Sequence, residues 1–251
     1  MSRVLISRPG PEPEGEPPSQ GLRVLFAAAA LGCLVALAVA GTRLGAELTR
    51  DPTDAERGAA RERELSGRYL AWTAGRIFPS GLPYTLDLGS REVAGRVGID
   101  PGTDCERAVD RPLAGTLTIR ECRAVLRATY LDQLQGLAIT VGVVVFPDAE
   151  SARSAAEWFP EGRPRPGLRA LSFPGSPTAR FGDAARQSAA VRHGGPYVVA
   201  ATVGYADGRP TVREKQRQRI LSSLPPRLTA SVLARLTAPA PVRCGEPGWS
   251  C

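Results

Sequence analysis

The sequence predicts an α+β protein: a single N-terminal transmembrane helix followed by an extracytoplasmic antiparallel sheet with helices on one face. Three observations carry this expectation. Residues 24–42 form an uncharged apolar run between Arg23 and Arg43. Four of the five cysteines follow that run. The order strand, turn, strand, helix then occurs twice, about 60 residues apart. The 251 residues are 43% apolar, which excludes a disordered or collagen-like chain. A mean hydropathy of −0.13 excludes a polytopic membrane protein. The formal charge is 32 − 25 = +7, and every basic side chain except Lys215 is arginine. With so much Ala, Gly and Pro, that bias reads as high-G+C coding before it reads as selected chemistry.

Residues 1–22 are Pro- and Glu-rich and have nothing to bury, so they are read as a disordered cytoplasmic tail. Residues 23–43 are read as the transmembrane helix, since 19 uncharged residues at 1.5 Å each match a hydrocarbon core. A retained anchor is the leading reading of this run. A cleaved signal peptide, with Ala38-Val39-Ala40 as the cleavage pattern, and a lipid anchor at Cys33 remain open. Arginines flank the run on both sides and are denser after it, so charge alone would keep the C-terminal part inside. Cysteine usage argues the opposite. Cys105, Cys122, Cys244 and Cys251 are an even set beyond the anchor, which suits disulfides in an oxidising compartment. Long domains translocate largely regardless of nearby charge, and the C-terminal part is therefore expected outside a plasma membrane.

Residues 44–77 are read as a helical stalk, started by Asp51-Pro52-Thr53-Asp54 and carrying Leu65, Tyr69, Trp72 and Ile77 on one face. The ectodomain is expected over 78–240. Within it, 122–131 alternates with period two, 132–136 turns the chain, and 137–146 is a β-branched strand. Asp148 then caps a helix over 149–159. Strands over 187–192 and 197–205 flank a His193-Gly194-Gly195-Pro196 turn, and 211–224 reads as the matching helix. Both second strands carry the same tripeptide, Thr140-Val141-Gly142 and Thr202-Val203-Gly204. Residues 160–180, rich in Pro, Gly and Arg, connect the two hairpin–helix units. Residues 241–251 form a terminal tail.

Four cysteines allow three pairings. Locality selects Cys105 with Cys122, and Cys244 with Cys251. A zinc site asks for closer pairs, and the single histidine, His193, is far from every cysteine in sequence. No metal or cofactor is therefore expected.

The run Ala128-Thr129-Tyr130-Leu131-Asp132, the run from Thr140 to Asp148 and the Cys105/Cys122 pair resemble membrane-anchored proteins of filamentous actinobacteria, to which no activity is attached. The architecture is also similar to the extracytoplasmic sensor domains of mycobacterial receptor kinases, without a shared motif. Neither resemblance implies a functional residue.

Catalytic constellations are scarce. No G-x-S-x-G, P-loop, G-x-G-x-x-G or zincin pattern occurs, and His193 falls in an expected turn. Two carboxylate pairs, Asp100 with Asp104 and Asp148 with Glu150, sit at a turn and a helix start, where such residues serve structure. The basic run that includes Arg213, Lys215, Arg217 and Arg219 offers contact with an anionic envelope polymer or lipid headgroups. It lacks interleaved aromatics, and nucleic acid is not an expected partner outside the membrane. Trp158, Phe159, Phe173 and Phe181 gather around 160–180; core and loop packing is the leading reading of them, and a ligand groove beside the sheet is the alternative. The expected function is a non-catalytic ligand- or partner-binding domain, taking a small ligand, a polymer or a protein. A carboxylate-dependent envelope hydrolase is the alternative.

Overall fold

The computed structural model describes residues 20–85, 89–210 and 219–244. The chain divides into two compact units between Thr53 and Asp54. The first contains α1 (Gln20–Thr49), whose Ala-, Leu- and Val-rich sequence leaves no polar face. Within its portion Val24–Thr49 an 18-residue stretch has a mean hydropathy of 2.5 and is nowhere buried, and the helix is long and apolar enough to cross a membrane. The helix runs past Arg43, where the apolar run stops, and ends before Pro52. The expected tail over 1–22 lies almost wholly outside the described residues.

Among the described residues of the second unit, six antiparallel strands form one sheet in the order β1-β2-β3-β4-β6-β5. They are β1 (Gly81–Thr85), β2 (Arg91–Ile99), β3 (Ala124–Leu131), β4 (Leu137–Val145), β5 (Arg186–Gly194) and β6 (Tyr197–Tyr205). Around them stand α2 (Asp54–Ala71), α3 (Ala74–Ile77), α4 (Cys105–Ala108), α5 (Arg111–Ile119), α6 (Ala149–Ala156) and α7 (Arg219–Thr237). The α+β class, the antiparallel sheet and both expected hairpins are present, and the second strands of the hairpins, β4 and β6, lie side by side. Asp148 caps α6 as expected, its carboxylate accepting the Ser151 N–H at 2.7 Å.

The helices lie on both faces, which corrects the one-face expectation. Ile139, Val141, Val143 and Val145 of β4 pack with Tyr197, Val199, Ala201 and Val203 of β6 beneath Leu221, Leu224, Leu228, Val232 and Leu236 of α7. Val144 and Phe146, with Val198 and Ala200, pack on the other side against Ala152, Ala155 and Ala156 of α6 and Leu113 and Leu117 of α5. Every position of β4 is buried. A strand that is apolar at both parities must be covered on both faces, and Leu-Ala-Ile-Thr-Val-Gly-Val-Val-Val is such a strand.

Two further corrections concern helices. The last helix does not end at Leu224 but continues through Pro225 and Pro226 to Thr237. Prolines inside a helix cost about 3 kcal/mol each. The stripe Leu221–Leu224–Leu228–Val232–Leu236, buried along its length, outweighs that cost. The first part of this helix as read from sequence, residues 211–218, lies outside the described residues.

The segment read as a stalk also divides differently, since α2 belongs to the same compact unit as the sheet. Leu65, Tyr69 and Trp72 pack against the α7-side core. The Tyr197 hydroxyl, whose pKa burial pushes up to about 12, donates to the Leu65 carbonyl at 2.5 Å. Arg68 is 3% exposed. It grips Glu64 and donates to the Leu236 and Ala238 carbonyls at 2.5 and 2.8 Å, placing a cation at the C-terminus of α7.

Cys105 and Cys122 are bonded, as locality predicts, and their bridge spans α4 and α5. The other expected pair, Cys244 with Cys251, includes Cys251 and so lies outside the described residues. Closing the Cys105–Cys122 loop, a sequence separation of 17, restricts the unfolded chain by about 3 kcal/mol. The Cys105→Ser/Cys122→Ser variant is expected to lose about that much in urea denaturation, with a somewhat steeper denaturant slope because the unbridged unfolded chain exposes more surface. An unchanged midpoint would show that the bridge restrains nothing.

Candidate ligand-binding site

The long connection between the hairpin–helix units crosses the α6 side of the sheet, and the sequence prepares its path. Thr129 and Thr140 face each other across β3 and β4 with their hydroxyls 3.1 Å apart. The Thr129 hydroxyl donates to the Leu171 carbonyl at 2.6 Å, and Thr140 accepts the Leu171 N–H at 2.9 Å. Two buried threonines thus supply both backbone partners of a crossing residue. The repeated glycines give the chain room. A Cβ on Gly142 would stand 2.7 Å from the Leu168 side chain, and one on Gly204 would stand 2.1 Å from the Ala185 carbonyl oxygen. The shared tripeptide therefore marks where one connection lies close over two adjacent strands.

Charge holds the same segment down. Arg186 is 1% exposed and makes a two-pronged contact with Asp110, Nη1 to Oδ2 at 3.0 Å and Nη2 to Oδ1 at 2.8 Å. Its Nη1 also donates to the Leu168 carbonyl at 2.9 Å, while Asp110 accepts the Gly167 N–H at 2.9 Å. Asp183 accepts from Arg169 Nε at 2.8 Å and from the Ala170 N–H at 2.9 Å. Burial pushes the Asp183 carboxyl up, but these two hydrogen bonds and the nearby Arg186 charge outweigh it and hold the carboxyl below the usual carboxylate range. A pKa lower in the folded than in the unfolded chain stabilises the fold above the unfolded value, near 4, and that contribution disappears as pH falls through the folded value. Asp183→Asn is expected to make the urea midpoint less sensitive to pH below about 4. An acid limb as steep as that of the wild type would remove Asp183 from this account.

The crossing segment leaves a cavity of about 400 Å³ beside the sheet, within the range of small-molecule sites. Its walls come from the loop after β2 (Asp100, Gly102, Asp104), Arg107 of α4, Val125 and Arg127 of β3, and Arg169, Ala170 and Leu171 of the connection. Arg127 donates to Asp100 through Nη2 at 2.5 Å and Nε at 3.2 Å. Asp100 also accepts the Gly102 N–H at 3.0 Å. Asp104 caps α4, accepting the N–H groups of Glu106 and Arg107 at 2.8 and 3.0 Å. The Arg107 guanidinium is exposed and has no partner among the described residues.

Packing is the leading reading of the aromatics around 160–180 and a groove border the alternative, and none of them lines this cavity. Phe159 and Phe181 are buried in the core, Phe173 lies against Gly98, and Trp158 is exposed. The lining arginines and carboxylates come from three separated stretches of chain, and in so arginine-rich a sequence nothing local singles them out.

Of the sequence-derived candidates, Asp100 and Asp104 share this cavity. Asp148 and Glu150 line a second one of about 640 Å³, with Ala59 and Leu65 of α2 and with Pro147 and Pro196. There the Ser151 N–H holds the Asp148 carboxyl below its ordinary range, and Glu150 pairs with Arg153 at 2.6 Å. His193 is not a turn residue; it is exposed on β5, opposite Val198. Arg219 is exposed at the first residue of α7. Arg213, Lys215 and Arg217 lie outside the described residues. Among the described residues no group of three or more His, Cys, Asp or Glu side chains is placed to hold a metal ion. No protein-family model, curated protein or solved structure matches the chain.

Proposed function

We propose that the protein is a single-pass cell-envelope protein whose C-terminal domain lies outside the membrane and binds a ligand without transforming it. The cavity between the loop after β2 and the crossing segment carries this reading. Its two carboxylates are already engaged, Asp100 by Arg127 and Asp104 by the backbone of α4, which suits a fixed recognition surface better than proton transfer. The apolar α1 and the Cys105–Cys122 bridge support an anchored domain in an oxidising compartment.

The test uses the full-length protein in detergent micelles, melted against fractionated envelope material. Ligand at 100 times its dissociation constant stabilises by about 2.7 kcal/mol, or about 5–10 °C for a domain of this size. The wild type is expected to shift with one fraction and an Ala170→Phe variant, which fills the cavity, is not. Equal shifts in both would place the ligand elsewhere. Location has its own test. Leu134 is 85% exposed, and a cysteine there should react with a membrane-impermeant maleimide in intact cells. Reaction only after lysis would put the domain inside.

The rival, a carboxylate-dependent hydrolase, draws on Asp100 and Asp104 lining one cavity. Asp104→Asn keeps a side-chain acceptor for the cap. Hydrolysis of an envelope fraction by the wild type and its loss in this variant would favour the enzyme.

A further inference from the structure

We propose that the ligand of this cavity is a monosaccharide-sized acid whose single oxyanion, carboxylate or phosphate, is held by Arg107 and Arg127. The inference rests on the ligand-binding reading above and names the chemistry of its ligand. The lining carries three arginines against two aspartates, 3 − 2 = +1. Asp100 is held by Arg127 and Asp104 by backbone N–H groups, so neither is committed to Arg107. Arg107 thus brings a fork of five N–H donors with no protein partner among the described residues to the rim of the cavity.

Arg127 is the fixed counterpart. Its side chain is 12% exposed, and both of its bonds to Asp100 go to one carboxylate oxygen, through Nε and Nη2. Nη1 has no partner among the described residues. A guanidinium immobilised by a carboxylate and still holding a free donor is pre-organised, so binding costs it little side-chain entropy. Val125, Ala170 and Leu171 give the remaining wall an apolar surface that suits the carbon skeleton of a sugar. A planar, permanently charged fork matches carboxylate and phosphate geometry, whereas a neutral ligand would leave the Arg107 charge uncompensated. The net charge of +7 draws anions to the chain as a whole.

The full-length protein in micelles is titrated calorimetrically with glucuronate, glucose 1-phosphate, glucose and glucosamine. The expected result is saturable binding of one or both acids and none of glucose or glucosamine; the two acids distinguish a carboxylate from a phosphate ligand. Arg107→Met removes only an exposed side chain and should melt like the wild type. It is expected to weaken the acid about tenfold, the equivalent of one hydrogen bond to a charged group. Arg107→Lys, which keeps the charge and loses the fork, should fall between. The proposal is overturned if neither acid binds, if glucose binds as well as they do, or if Arg107→Met binds like the wild type. An envelope fraction that still shifts the wild type and not Ala170→Phe would then leave the binding function standing and remove only the acidic ligand.

Discussion

Replacing Arg186 with methionine is expected to cost the domain about 3–5 kcal/mol, because it strands a partly buried carboxylate. Methionine retains much of the aliphatic volume, so the loss reports on charge and hydrogen bonding and not on a cavity. Asp110, 19% exposed, would lose both prongs of its contact, and the Leu168 carbonyl would lose its donor. The Asp110→Asn/Arg186→Met double variant leaves no unpaired charge and should recover part of the stability, since its side-chain oxygen can still accept the Gly167 N–H. Urea denaturation of the three proteins checks the order wild type, double, single. A single variant within about 1 kcal/mol of wild type would show that the pair does not hold the crossing segment. Because that segment supplies Arg169, Ala170 and Leu171 to the cavity, ligand binding should weaken together with stability.

The second large effect separates the two copies of one tripeptide. Gly204→Ala is expected to lose at least about 3 kcal/mol, the upper part of the range for overpacked cores. Its new methyl would meet the Ala185 carbonyl at 2.1 Å and the Phe181 ring at 2.9 Å, beside the register shift between Arg186 and Ser188. That backbone is held by the Arg186 network and has nowhere to go. Gly142→Ala meets only the tip of the Leu168 side chain, which can turn away, and is expected to cost about 1 kcal/mol. Midpoints of thermal or urea unfolding decide it, and equal losses would refute the account of what the glycines admit.

The two glycines also illustrate what can be read before folding. Their repetition is visible in the sequence and suggested a duplicated unit; that the same chain segment lies over both is a fact of tertiary contact. Local signals were sufficient wherever one stretch of chain determines its own shape. The uncharged run 24–42 dictates an apolar helix, period-two alternation over 122–131 and the β-branched run 137–146 dictate the first hairpin, Asp148 dictates the start of α6, and proximity pairs Cys105 with Cys122. The short α5 was missed, although Asp110 before Pro112 with Leu113 and Leu117 four apart is a helix signal. β1 and β2 were missed because Gly95, Gly98 and a single buried Ala94 leave β2 without a clear alternation.

The sequence by itself determined the class of the protein: one apolar helix, an antiparallel α+β domain, a local disulfide and a surplus of cationic side chains. Only the tertiary structure decided which face each helix covers, that α7 runs through two prolines, and that Arg68 caps that helix from α2. It alone brought Arg107, Arg127 and Arg169 around one cavity. The physical reason is the same in each case. Propensity and periodicity act within a few residues, whereas burial energy and charge pairing depend on partners up to 170 residues apart, such as Arg68 and Ala238.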